Sequence, residues 1–177
     1  LEFIRGELDK MGVEYTEKYG KSSLVATVNP EKSSFTIGIR ADMDALPITE
    51  QTGLSYSSKT AGVMHACGHD MHTAMLLGAA RLLKEHEAEI EGTVKLMFQP
   101  AEELLEGSKD MIEHGVLENP SVDAALMMHV MTGIPLPTGT IVACDGGVSA
   151  PAADYFTIQI QGKGCHGSTP NKGIDPQ

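Results

Sequence analysis

Leu1, Ile4, Leu8 and Met11 recur at helical spacing, and Gly12 follows where such a helix would close. Short strand-like pieces come next, around 13–19 and 24–28, with Asn29-Pro30 as a turn. Phe35, Ile37 and Ile39 then alternate and predict a strand running into Arg40. A long helix is expected over 71–86, with Asp70 as its N-cap and Met75, Leu76, Ala79, Ala80, Leu82 and Leu83 as an apolar face. Thr93 to Gln99 reads as a compact apolar strand stopped by Pro100. A short helix is predicted over 109–114, between Ser108 and Gly115. Residues 122–130 are nearly all apolar, which suits a strand buried on both faces. Strands alternating with helices imply a layered α/β domain. The stretch 131–152, rich in Pro, Gly and Ala, reads as loop or linker, and 155–161 alternates again as a strand opening a second unit.

Composition narrows the function classes. Thirteen Lys plus Arg stand against 24 Asp plus Glu, a formal net charge of −11. That balance argues against nucleic-acid or anionic-membrane partners, which require a basic footprint. Cys67, Cys144 and Cys165 are far apart and odd in number, so a disulfide scaffold is not expected and a reducing, cytoplasmic compartment is. No apolar run approaches the ~20 residues that span a bilayer.

Chemistry gathers at the strand ends. Asp42 and Asp44 follow the strand that ends at Arg40, Glu102 and Glu103 follow the strand that ends at Gln99, and His129 lies near the end of the 122–130 run. Ligands of open α/β sheets bind beyond the carboxyl ends of the strands, so three strands are expected to deliver acids or imidazole to one edge. A fourth group, His65-Ala66-Cys67-Gly68-His69-Asp70-Met71-His72, precedes the long helix and can fold onto that edge. Carboxylates, imidazoles and one thiolate form the ligand set of a divalent metal site. The thiolate favours zinc, cobalt or nickel over magnesium or calcium. Gly68 allows the backbone to bend so that Cys67 and His69 reach one centre.

Taken singly, each group has a plainer reading. Asp42 and Asp44 could cap a turn, paired glutamates usually face solvent, and a histidine in an apolar run is usually a hydrogen-bonded core residue. Cys67 could be a small buried hydrophobe. The joint metal reading is favoured because three of the seven histidines lie between positions 65 and 72, beside a cysteine. Cys144 is read as structural, and His86 and His114 as surface residues at helix ends.

These residues resemble the M20 metallopeptidases, in particular the amidohydrolase branch of hippurate hydrolases, auxin-conjugate hydrolases and N-acetyl-diaminopimelate deacetylases. The resemblance is carried by Ile39-Arg40-Ala41-Asp42-Met43-Asp44-Ala45-Leu46-Pro47-Ile48, by the block from Met64 to His72, and by Phe98-Gln99-Pro100-Ala101-Glu102-Glu103. His129 and Gly164-Cys165-His166-Gly167-Ser168-Thr169-Pro170 continue it, so that it runs over essentially the whole chain.

The resemblance implies an α/β/α catalytic domain with a mixed, zinc-peptidase-like sheet over residues 1–152. Residues 153–177 would begin an α+β lid and dimerisation domain. It implies two divalent ions per subunit, zinc first, with manganese, cobalt or nickel as alternatives. Cys67, where other members use a bridging aspartate, would be a metal ligand with His69, Glu103 and His129. Glu102 would be the general base and Asp44 the acid that orients a ligand. His166 would reach the active site of the partner in a homodimer and help hold the oxyanion. The substrate implied is an N-acyl amino acid.

Two departures from the pattern stand out. Cys165 occupies a position that is usually glycine. The family's last metal-ligating histidine, near its C-terminus, has no counterpart before Gln177, so the chain is expected to be a fragment that also lacks a first helix. The rival readings are a cysteine hydrolase with Cys67 as nucleophile and His69 or His72 as base, an M20 dipeptidase or aminopeptidase, and a non-catalytic metal-binding remnant. An i,i+2 pair is poorly placed for a nucleophile–base hydrogen bond, and that scheme leaves Glu102 and Glu103 without a role.

Overall fold

The computed structural model describes residues 1–32, 34–144, 146–148 and 152–176. The chain divides into two compact units, Leu1–Ile134 and Pro135–Gln177.

The first unit opens with α1 (Glu2–Met11), which buries Ile4 and Leu8. Gly12 closes it in the left-handed conformation at φ 66°, donating to Asp9 O, while Val13 donates to Leu8 O. This paired C-terminal motif uses glycine because a Cβ is strained there, and it packs Val13 against Leu8. Five strands follow in the chain: β1 (Glu14–Thr16), β2 (Leu24–Val28), β3 (Thr36–Asp42), β4 (Thr93–Gln99) and β5 (Ala124–Met127). They form one sheet in the order β1-β2-β4-β3-β5. β2 is antiparallel to β1 and β4, whereas β3 runs parallel to both β4 and β5. The sheet is therefore mixed, as expected.

Helices cover both faces. On one face α1 and α2 (His69–Glu85) bury Ile4, Leu8, Leu76, Leu77 and Ala80 against Leu24, Ala26, Val28, Val94, Leu96 and Phe98. On the other, Met111 of α3 (Gly107–Glu113) packs with Tyr19, Val25, Met97 and Val116. Alternate residues of β2 and β4 feed the two cores, the period-2 geometry of a strand covered on both sides. Lys95, in the middle of β4, is 2% exposed and donates through Nζ to the carbonyls of Val116, Glu118 and Pro120 at 3.0, 2.6 and 2.7 Å. It pins the chain between α3 and β5.

Four expectations are corrected. The long helix begins at His69, not 71, and its N-cap is Gly68 rather than Asp70, which lies in the first turn near the positive end of the helix dipole. The short helix begins at Gly107, so Ser108 is inside it. The apolar run 122–130 forms only the four residues of β5, all exposed, at the edge of the sheet where, among the described residues, the strand pairs with β3 alone. Apolar composition shows that a strand tolerates burial; it does not supply the layer that buries it. Residues 155–161, expected as a strand, are exposed and lie in no strand of the described structure. Among its described residues the second unit has instead a bridge between Lys163 and Ile174 and a 3-10 turn at Pro170–Lys172.

Candidate metal centre

Because β3, β4 and β5 are parallel, their carboxyl ends open at one edge of the sheet, and the N-terminus of α2 lies across it. Gly68 sits just before α2 at φ 84°, and a Cβ there would stand 2.4 Å from Val130 Cγ2. Glycine is needed twice, for the backbone turn and for the close approach of Val130. The turn places Cys67 and His69 on the same site. Beyond β4, the loop that carries Glu102 and Glu103 is closed by the amides of Glu106 and Gly107, both 3.2 Å from Ala101 O. The Glu103 amide donates to Asp44 Oδ2 at 3.1 Å, tying this loop to the segment after β3.

Four of the expected ligands converge with the expected base. Cys67 Sγ lies 3.6 Å from His129 Nε2. His69 Nε2 lies 3.8 Å from Glu102 Oε2, 3.8 Å from Glu103 Oε1 and 3.7 Å from Asp42 Oδ2. The donor atoms of Cys67, His69 and His129 fall within 4.8 Å of one another, and so do those of His69, Glu102 and Glu103.

Hydrogen bonding determines which imidazole atoms face inward. His69 Nδ1 is 3.0 Å from the Asp44 carbonyl, which can only accept, so Nδ1 carries the proton; Asp44 Oδ1 stands 3.2 Å away. His69 Nε2 then presents a lone pair, buried and with no hydrogen-bond partner among the described residues. His129 Nδ1 likewise donates to Val130 O at 2.7 Å, leaving Nε2 as a lone pair toward Cys67. A buried acceptor without a donor costs free energy unless a cation satisfies it. Two inward imidazole lone pairs, a thiol and two carboxylates are a donor set that fits divalent ions.

Burial, and then the carboxylates of Glu103, Glu102 and Asp42, push the Cys67 thiol above its usual range. The neighbouring carboxylates favour the neutral thiol, a preference that a bound divalent ion would reverse. Burial by itself would raise Asp42, but the hydrogen bond from His72 and the Arg40 and imidazole charges outweigh it and hold the carboxyl below the usual range.

Asp44 stands beside His69, the place expected of an orienting acid. His166 belongs to the second unit, where its Nδ1 accepts the Ser168 amide at 3.2 Å, which puts its proton on Nε2. Asp42 and His72, both 2% exposed, also belong to the site; the sequence placed Asp42 among the strand-end acids and gave His72 a role only as the alternative base of a cysteine hydrolase. The i,i+3 spacing of His69 and His72 places both on one helix face and was the available signal. His86 and His114 are exposed at helix ends, as expected.

A family model described as peptidase family M20/M25/M40 matches residues 38–170, and the chain belongs to that family. N-acetyl-L-cysteine deacetylase of Bacillus subtilis (strain 168) is 44% identical to it over 174 residues, covering 98% of this chain and 41% of the relative. IAA-amino acid hydrolase ILR1-like 4 of Arabidopsis thaliana is 46% identical over 173 residues, covering 98% of this chain and 38% of the relative. The crystal structure of a Bacillus subtilis dinuclear metal-binding peptidase of the M20 family matches with a TM-score of 0.68 at 44% identity, over 72% of this chain and 36% of that one. The chain thus spans about two fifths of the length of the curated relatives it matches.

Proposed function

We propose that this chain carries the metal site of an amidohydrolase that cleaves the amide bond of N-acyl amino acids. The observation that supports this reading most is the inward convergence of Cys67 Sγ, His69 Nε2 and His129 Nε2 with the carboxylates of Glu102 and Glu103. Cys67, His69, Glu103 and His129 are assigned as ligands of two divalent ions, zinc by preference. Such ions, when bound, polarise the amide carbonyl and lower the pKa of an attacking water.

The remaining roles fall to side chains. Glu102 takes the proton of the attacking water and returns it to the leaving nitrogen. Asp44 holds the His69 ring in the tautomer that turns Nε2 inward. His166, from the partner subunit of a homodimer, donates a hydrogen bond from its Nε2–H to the developing oxyanion. In this reading residues 1–152 form the catalytic domain and 153–177 begin the lid, in a cytoplasmic enzyme.

The deacetylase and conjugate-hydrolase names of two relatives favour acyl-amino acid substrates. The peptidase title of the solved relative favours a second reading, an exopeptidase built on the same centre. One assay separates them. The full chain, stripped with a chelator and reconstituted with zinc, manganese or cobalt, should release amino acid from N-acetyl and N-benzoyl amino acids only when metal is restored. Release from free dipeptides alone would favour the exopeptidase, and activity that survives chelation would defeat both.

A further inference from the structure

Past Met127 the ladder between β5 and β3 ends, yet His129 must still be held in place. Among the described residues, one backbone hydrogen bond ties positions 128–130 to another element: the Val130 amide donates to His72 Nε2 at 2.9 Å. Accepting that bond puts the His72 proton on Nδ1, where it is donated to Asp42 Oδ1 at 2.5 Å. The other oxygen of Asp42 accepts from Arg40 at 2.9 Å. Both nitrogens of His72 are therefore occupied, which makes it a poor ligand despite its position among ligands. Its ring packs beside both of the other imidazoles, with centroids 5.4 Å from His69 and 4.5 Å from His129, which are themselves 6.3 Å apart.

We propose that Asp42 and His72 are positioning residues, a clamp that sets where His129 stands for a divalent ion by gripping the next peptide along the chain. The clamp rests on the metal-centre reading above. An imidazole suits it because one rigid ring offers a donor and an acceptor on opposite sides, and buried Asp42 fixes which side is which.

Cobalt(II) titration of the full chain, read by its ligand-field and thiolate charge-transfer bands, tests the proposal with two variants. His72→Asn keeps a donor toward Asp42 but withdraws the acceptor from Val130; it should weaken cobalt binding about 10–100-fold and alter the bands. His72→Gln extends an acceptor to the Nε2 position and should bind within about threefold of the unsubstituted chain, well inside the loss expected for the Asn variant. Wild-type affinity and bands in His72→Asn overturn the clamp, as does equal impairment of both variants or loss of fold in both. If the unsubstituted chain binds no cobalt, the metal-centre reading falls with it; if it binds and only the variants behave otherwise than stated, the clamp alone falls.

Discussion

Glu102 and Glu103 are neighbours in sequence that meet the same histidine, each 3.8 Å from His69 Nε2, yet they are assigned different tasks. Glu103 is tied through its amide to Asp44, which suits a ligand that must not move. Glu102 is the more exposed side chain, at 35% against 26%, as a proton carrier in contact with water requires. Glu102→Gln should therefore lower kcat by about 10²–10⁴-fold while metal content, measured by elemental analysis, stays unchanged. Lys95 shows the same logic in a structural role. Lys95→Met keeps the length of the stem but leaves three carbonyls, that of Val116 buried, without their donor. A loss of about 1–3 kcal/mol in urea unfolding is expected, and an unchanged midpoint would show that water replaces the ammonium.

At the scale of elements, the loop between β4 and α3 matters most. It returns so tightly that a Cβ on Gly107 would lie 1.6 Å from Pro100 O, and Gly68 is similarly pressed by Val130. Backbone at that distance cannot yield as a flexible side chain can. Gly107→Ala should force the Pro100–Gly107 loop outward, lower stability by about 1–3 kcal/mol, and weaken zinc binding in a competition assay because Glu103 moves with the loop. Retention of both stability and affinity would show that the loop shifts without disturbing its carboxylates. The elements themselves were largely legible. β2 and β4 coincide with the predicted runs, and Gly12 ends α1 as its spacing implies. Helix starts were less legible, because Asp70 and Ser108 resemble caps chemically but are the second residues of their helices. The edge position of β5 was not legible at all, since burial depends on neighbours distant in sequence.

For the whole molecule, the site joins four separated segments: the end of β3, the start of α2, the loop after β4 and the end of β5. A ligand that grips all four stabilises the folded state in proportion to its binding free energy. Zinc at about 100 times its dissociation constant should add about 2.7 kcal/mol, seen as a higher thermal midpoint that a chelator reverses. A midpoint indifferent to zinc would mean that the segments do not bind it jointly. No helix among the described residues is long and apolar enough to cross a membrane.

The sequence by itself determined which residue types are available and where the local elements lie, because hydrophobic period, glycine turns and strand-end acids act over a few residues. It also carried the family, through blocks specific enough to recognise, and with it the expected ligands. Only the tertiary structure decided that β3, β4 and β5 run parallel, and so that their acids and imidazole share one edge. It alone decided which nitrogen of each histidine turns inward, and that His72 serves the protein backbone rather than a cation. Apart from the bond of His129 to its neighbour Val130, those outcomes rest on pairings and hydrogen bonds between residues distant in sequence, which no local pattern encodes.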